Sequence, residues 1–168
     1  MYGTLVNTGD NSYDGGNIVF NLDDVVRVPK GELINSYVQA VSFNFSLAPH
    51  GPTPKLWLYV LSPVVTGVNI YFYLVRNRMY QIPYSRIATD FIGIQTIILP
   101  VNMLPISPGQ FLGVGFDEGG GTCYQVEHRT QYSCLPSDFS SVFKEKYDSH
   151  DWGISFSFVV HTTATTIL

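Results

Sequence analysis

Two cysteines and one acidic loop are the parts of this chain whose residue types and spacing suit covalent or ligand-binding chemistry. Cys123 and Cys134 flank a short strand-like segment, and a disulfide closing such a loop adds on the order of 2–3 kcal/mol in the loop-entropy view. We predict this disulfide, with two free buried thiols as the alternative. A zinc site is not expected, because the C-x-x-C spacing is missing and His128 alone completes no ligand set.

Two acidic turns offer oxygen atoms to a ligand. Asp117 and Glu118 are adjacent in a glycine-rich turn, where they can chelate Ca²⁺ or accept hydrogen bonds from sugar hydroxyls. Near the N-terminus, Asp10, Asn11 and Asp14 form a weaker set, since the later glycine and the terminal glutamate of an EF-hand loop are missing. A solvated turn is the preferred interpretation of this N-terminal set, and Ca²⁺ is the one cofactor that either turn suggests.

The same residues do not make a recognisable enzyme. Cys123, His128 and Asp117 can be written as a nucleophilic triad, but the nucleophile elbow and the oxyanion motif are absent from the sequence. Asp117 and Glu118 have no supporting residues for glycoside hydrolysis. The sequence therefore predicts a protein without catalytic activity.

The composition indicates an extracellular β-protein that binds neither nucleic acid nor the membrane interior. Charged residues are 13% and aromatic residues 14% of the 168 residues, whereas an average soluble domain has roughly 25% charged residues. The net charge is −4 and the nine Lys and Arg residues are scattered, so no cationic surface for phosphates is expected. Every apolar run is interrupted before the ~18 residues of a membrane helix. We interpret the chain as an extracellular or secreted domain, mature or excised because no signal peptide begins at Met1.

The segment from Tyr37 to Leu47 has the clearest strand pattern in the chain. Large apolar residues alternate there with Ser42, Asn44 and Ser46, which predicts one buried and one solvated face. The N-glycosylation sequon N-F-S begins at Asn44, on the face predicted to be solvated. We therefore predict a glycan at Asn44, in agreement with an extracellular location.

Similar alternation recurs along the chain and predicts an all-β fold. About eight to ten strands are separated by turn signals, and no long helical period is present. An aromatic-rich last strand that pairs beside early strands favours a two-sheet antiparallel β-sandwich of jelly-roll type. We expect a flexible N-terminal segment over residues 1–16, a single β-sandwich domain over residues 17–168, and a long surface loop over residues 137–151.

Two successive strands carry aromatic residues on the face opposite their aliphatic residues. We call these residues the aromatic band: Trp57, Tyr59, Tyr71 and Tyr73. A second core layer is one interpretation of the band, and a sugar-stacking surface is another. We favour a subunit interface, because Tyr and Trp dominate such surfaces and lysines are scarce here. In a later strand, Gly113 and Gly115 share one face, which predicts that another group packs closely above them.

The order of the strand sequences resembles a known group of extracellular modules. The chain contains, in order, V-x-F-x-F-x-L, L-W-L-Y-V-L, I-Y-F-Y-L-V, an Ile-rich strand, I-S-P-G-Q-F-L-G-V-G-F and I-S-F-S-F-V-V. This order is similar to that of the jelly-roll ectodomain modules of invertebrate extracellular proteins, which are distantly similar to the complement and tumour necrosis factor architecture. Pro108-Gly109-Gln110, followed by the strand from Phe111 to Phe116, matches a recurring feature of those modules. The resemblance implies an extracellular setting and frequent oligomers, and it implies no particular ligand.

These observations lead to two functional hypotheses. The first is a non-enzymatic structural or recognition module that self-associates, with a trimer as one arrangement, or docks an extracellular protein through the aromatic band. The second is a carbohydrate-binding, lectin-like domain, whose loops at residues 10–14 and 117–121 bind a glycan with or without Ca²⁺. Neither hypothesis includes nucleic acid or insertion into a membrane.

Overall fold

The chain folds into two antiparallel β-sheets packed face to face in the computed structural model. The structure describes residues 1–3, 18–21, 24–27, 34–66, 69–134, 145–146 and 148–164. These residues form the strands β1 (Tyr2–Gly3), β2 (Ile18–Asn21), β3 (Ile34–Leu47), β4 (Lys55–Thr66), β5 (Asn69–Ile82), β6 (Gly93–Ile98), β7 (Phe111–Asp117), β8 (Thr122–Cys123), β9 (Gln125–Cys134), β10 (Glu145–Lys146), β11 (Asp148–Ile154) and β12 (Phe156–Ala164). A 3-10 turn spans Tyr84–Arg86. In the described part of the chain, no helix has the length and apolar character needed to cross a membrane.

The strand order is that of a jelly roll. The five-stranded sheet has the order β1-β12-β3-β6, with β8 also paired to β3, and the seven-stranded sheet has the order β10-β5-β4-β7-β2-β9-β11. The first and last described strands are neighbours, and the chain passes repeatedly between the two sheets, for example after β3, after β5 and after β6. The predicted all-β sandwich of jelly-roll type is therefore confirmed. The described strands outnumber the predicted eight to ten because β1, β8 and β10 are only two residues long.

The core lies between the two sheets and is rich in phenylalanine. Val41, Phe43 and Phe45 of β3 point inward and are fully buried, because successive side chains of a strand point to opposite faces. The Phe43 ring lies 6.0 Å from the Phe116 ring of the opposite sheet and 6.5 Å from the Phe156 ring of β12. Phe43 therefore joins both layers of the sandwich at their centre.

Three segments differ from their predicted structure. Tyr2 and Gly3, expected to be flexible, form β1, and the Tyr2 ring stacks on Phe158 at a centroid distance of 5.2 Å; residues 4–16 of the predicted flexible segment lie outside the described residues. The predicted surface loop over residues 137–151 contains β10 and most of β11, which pairs with β9. Leu47, which simple alternation places in the core, is 51% exposed, because a register shift after Phe45 interrupts the alternation.

A buried polar cluster joins β2 to β9 and β11. Asp24, just after β2, is 4% exposed, and its two carboxylate oxygens lie 3.1 and 3.0 Å from Nη1 of Arg129 in β9. The Asn21 amide donates to Asp24 at 2.9 Å and to the Ile154 carbonyl at 3.0 Å, and it accepts from the Ile154 N–H at 2.9 Å. Because buried polar groups cost free energy unless they are hydrogen-bonded, these contacts fix the position at which the three strands meet.

Candidate functional site

The two cysteines lie in different sheets and do not form the predicted disulfide. Cys123 is a free thiol on β8, which pairs with Phe45 of the five-stranded sheet, whereas the Cys134 backbone pairs with Ile18 in the seven-stranded sheet. Burial raises the pKa of the Cys123 thiol well above its ordinary value, and a hydrogen bond with the Asn44 backbone opposes this only in part. The prediction of a Cys123–Cys134 disulfide is therefore wrong, and Cys123 is an unreactive core residue.

Asn44 is buried, although the sequence predicts a solvated position. The residue is 6% exposed. Its N–H donates to the Ser155 carbonyl at 3.1 Å, and its carbonyl accepts from the Tyr124 N–H at 2.9 Å. Two connections therefore contact β3 at Asn44. One joins β8 to β9, and the other joins β11 to β12. An N-linked glycan requires an accessible asparagine, so the prediction of an exposed acceptor at Asn44 is wrong.

The described part of the aromatic band belongs to a second core layer. Tyr59 is 3% exposed and Trp57 is half-buried, with their rings stacked at 6.4 Å. Both belong to an apolar cluster on the outer face of the seven-stranded sheet, which also contains Ile18, Phe20, Leu61, Phe111, Val25 and Met79. The backbones of Tyr71 and Tyr73 pair with β4, and their side chains lie outside the part that the structure describes. Tyr59 therefore offers almost no surface to a partner.

The two glycines of β7 make room for this second core layer. A Cβ atom at Gly115 would lie 2.9 Å from the Tyr59 ring. A Cβ atom at Gly113 would lie 2.9 Å from the Ile18 side chain and 3.0 Å from that of Leu61. These distances are too short for ordinary van der Waals contact, so a side chain at either position would displace its neighbours. The prediction that another group packs closely above these glycines is confirmed.

The acidic loop between β7 and β8 is exposed and is shaped by its own backbone. Asp117 Oδ1 accepts from the Glu118 N–H at 2.8 Å, and the Asp117 carbonyl accepts from the Gly120 N–H at 2.6 Å. The His50 N–H donates to the Gly119 carbonyl at 2.8 Å, which ties the loop to the proline-rich loop after β3. A pocket of about 360 Å³ opens between the two loops, lined by Leu47, His50, Phe116 and residues 117–122.

One of the two predicted ligand carboxylates is already paired with a cation. Lys55 Nζ lies 2.8 Å from Glu118 Oε2, and the hydrogen bond to Glu118, together with its charge, raises the pKa of Lys55. Because water screens this exposed pair, it adds little to stability. Among the described residues, no group of three or more His, Cys, Asp or Glu side chains is placed to hold a metal ion. The other predicted Ca²⁺ ligands, at positions 10, 11 and 14, lie outside the described residues.

Gly119→Ala is expected to destabilise the protein more than Gly109→Ala. Both glycines have a positive φ, of +69° and +80°, a conformation that costs an L residue about 1–2 kcal/mol. A Cβ atom at Gly119 would also overlap the His50 carbonyl oxygen, whereas nothing lies within 4 Å of a Cβ atom at Gly109. Urea denaturation of the two variants measures the difference. Equal losses in the two variants would show that the acidic loop relaxes without disturbing the loop that carries His50.

An exposed apolar surface lies around β6, which is the end strand of the five-stranded sheet among the described strands. The sequence-based predictions do not include this surface. We call this surface the edge face: Phe91, Ile92, Ile94, Ile98, Val101 and Met103, each 47–72% exposed. The sequence has no charged residue between Asp90 and Asp117. That uncharged stretch is the signal that could have identified the edge face from the sequence.

An open groove follows the outer edge of β6. It has a volume of about 520 Å³ and is lined by Arg86 and by residues 96–100. Across the groove, Arg86 Nη1 donates to the Ile98 carbonyl at 2.8 Å. On the buried face of β6, the Gln95 side chain accepts a hydrogen bond from the Ala88 N–H at 3.0 Å and donates one to the Ala88 carbonyl at 2.9 Å. These two hydrogen bonds hold the segment before β6 in place.

Comparisons with known proteins assign no family to this chain. No protein-family model matches it, no curated protein matches it, and no solved structure matches it. The functional argument therefore depends on the chemistry and geometry of the surfaces described above.

Proposed function

We propose that this protein is a non-enzymatic recognition module that associates with a copy of itself, or docks another protein, through the edge face. The observation that carries the proposal is the exposure of six large apolar side chains in a segment without charge. Large exposed apolar patches mark interaction surfaces in soluble domains, and the centres of protein interfaces are depleted of charge. The edge face thus takes the role that the sequence analysis gave to the aromatic band, whose Tyr59 is buried.

An extracellular setting is part of the same proposal and is supported by the composition. The free Cys123 and the buried Asn44 remove the disulfide and the sequon as arguments for it. The low share of charged residues still favours a secreted protein. The resemblance of the strand sequences to jelly-roll ectodomain modules implies the same setting and frequent oligomers.

Ile98→Lys is expected to weaken self-association by roughly tenfold or more, because a lysine ammonium at a buried contact costs more than about 1.4 kcal/mol. Sedimentation equilibrium over a series of protein concentrations measures the association constant. Leu47→Lys is the matched control, since Leu47 is also about half exposed, at 51%, but lies outside the edge face.

Two results together would overturn the proposed function. The first is a parent chain that stays monomeric at every concentration. The second is carbene footprinting that labels Val101 and Met103 equally in the purified protein and in the cells that make it, which shows that no partner covers the edge face.

A carbohydrate-binding domain is the second candidate, and the pocket beside the acidic loop favours it. Its volume of about 360 Å³ falls within the range of ligand pockets, roughly 300–1,000 Å³, and its polar rim suits sugar hydroxyls. A glycan array, probed with and without EDTA, tests this function. Binding that is lost in Asp117→Ala/Glu118→Ala supports it, and the absence of binding in both conditions rejects it.

A further inference from the structure

The backbone of β6 presents hydrogen-bonding groups to the open groove at alternate residues. The Leu99 N–H donates to the Gln39 carbonyl of β3 at 2.8 Å, so the odd-numbered residues of this segment direct their backbone groups toward β3. The even-numbered residues direct theirs away from β3, since the two directions alternate along a strand. The Ile98 carbonyl confirms this direction, because it accepts its hydrogen bond from Arg86 across the groove.

The same even-numbered residues also present their side chains to solvent. Ile94, Thr96 and Ile98 are exposed, whereas Gln95 and Ile97 between them are buried. An end strand with free backbone groups is a template for pairing with another strand, and proteins usually protect such strands with charges, prolines or bulges. Between its first and last residues β6 has none of these, and Arg86 covers a single carbonyl.

A second copy of β6 is complementary to the first in an antiparallel arrangement. A two-fold axis at Thr96 places Thr96 opposite Thr96 of the second copy, and it places Ile94 opposite Ile98 of the second copy. The facing pairs are then hydrogen-bonded pairs, in which two residues exchange both backbone hydrogen bonds. Threonine pairs and pairs of β-branched residues across strands are favourable, so this register matches both the backbone and the side chains.

The charge of the surface selects a second copy over a charged partner. The protein carries a net charge of −4, so two copies repel each other except where their surfaces are neutral. The uncharged stretch between Asp90 and Asp117 keeps the acidic residues outside the contact, and Arg86 is the one charged residue among the described residues that line the groove. Five residues of β6, from Ile94 to Ile98, pair with the second copy and span only about 17 Å at ~3.4 Å per residue, so the contact is small, and the dimer dissociates on dilution.

We propose that β6 pairs antiparallel with β6 of a second copy across a two-fold axis at Thr96, which joins two five-stranded sheets into one continuous sheet. This inference rests on the proposed function and specifies its partner and its geometry. Pairing replaces the hydrogen bond between Arg86 and the Ile98 carbonyl by one from the Ile94 N–H of the second copy. The groove beside β6 receives the incoming strand.

Thr96→Cys tests the position of the axis. Facing residues in a hydrogen-bonded pair have Cα atoms about 5.5 Å apart, so a short bifunctional thiol reagent should convert most of this variant into a covalent dimer at concentrations where the parent chain associates. Leu47→Cys, also exposed but on β3, should give no more cross-linked dimer than the parent chain with its native cysteines. Equal cross-linking of the two variants overturns the proposal.

A charge exchange tests the register. Ile94→Lys and Ile98→Glu should each weaken the dimer by about tenfold or more, because each places a charge opposite an isoleucine twice per dimer. The double variant Ile94→Lys/Ile98→Glu places lysine opposite glutamate at both positions, and association should recover toward that of the parent chain. If the parent chain dimerises while the double variant stays as weak as the single variants, the edge pairing is wrong and the proposed function stands. If the parent chain never associates, both the edge pairing and the self-association are wrong.

Discussion

Phe43→Ala is expected to lower the free energy of unfolding by about 3–5 kcal/mol, the range for removing a buried phenylalanine side chain. Phe43 has no exposed surface, and its ring packs against Phe45, Phe116 and Phe156. Because these neighbours come from both sheets, the cavity cannot close by the movement of one strand alone. Urea denaturation followed by near-ultraviolet circular dichroism measures the loss, since the surrounding aromatic rings report on the packing.

Phe91→Ala is the matched control for this substitution. Phe91 is 47% exposed, so the same change removes only about half of the buried area, and we expect a loss of roughly 1 kcal/mol or less. The two variants differ in burial and not in the atoms removed. A loss in Phe43→Ala no greater than that in Phe91→Ala would contradict the placement of Phe43 at the centre of the core.

The sequence predicts the fold well because its strongest signal, alternation with a period of two, is local. In β3 the alternation of apolar and polar residues requires one buried face, and Phe43 and Phe45 lie on it. The same signal cannot show what lies over the other face. On this basis Asn44 is expected to be solvated, yet the Tyr124 and Ser155 backbones contact it from segments distant in sequence.

The position of a strand within its sheet is the information that the sequence lacks. β4 and β6 both carry apolar residues on two faces, so their sequences look alike. β4 lies between β5 and β7 and its outward Tyr59 is buried, whereas β6 is the end strand among the strands that the structure describes and its outward Ile94 and Ile98 are exposed. The sequence therefore favours the aromatic band as an interface, whereas the described strands leave the edge face exposed.

Closeness in sequence misled the prediction for the cysteines. Cys123 and Cys134 are near neighbours along the chain, but the turn at Tyr124 carries the chain from the five-stranded sheet into the seven-stranded sheet. A jelly roll changes sheets at such links, so a short separation in sequence does not place two side chains together. β11 is a related case. Its residues have no apolar periodicity that would predict a strand, and it is held in the sheet by pairing with β9.

The buried cluster of Asp24 and Arg129 gives the second large prediction. Arg129→Met is expected to cost about 3–5 kcal/mol, because it leaves the Asp24 carboxylate buried without its cation. The Asp24 side chain is 6% exposed and that of Arg129 is 20% exposed. In Asp24→Asn, the guanidinium that loses its partner can therefore reach water, and we expect a smaller cost of about 1–2 kcal/mol. Thermal and urea unfolding of both variants measure this asymmetry.

The double variant Asp24→Asn/Arg129→Met separates charge from packing. It contains no buried charge without a partner, and the Asn21 amide can still contact the amide at position 24. We therefore expect it to be more stable than Arg129→Met alone, with a coupling energy of about 1–3 kcal/mol between the two positions. Additive losses would show that Arg129 stabilises the junction of β2, β9 and β11 through the packing of its aliphatic stem and not through its contact with Asp24. That outcome is physically reasonable, since a Cβ atom at Gly153 of β11 would lie 2.6 Å from the Arg129 Cβ, which shows how closely that stem packs against the neighbouring strand.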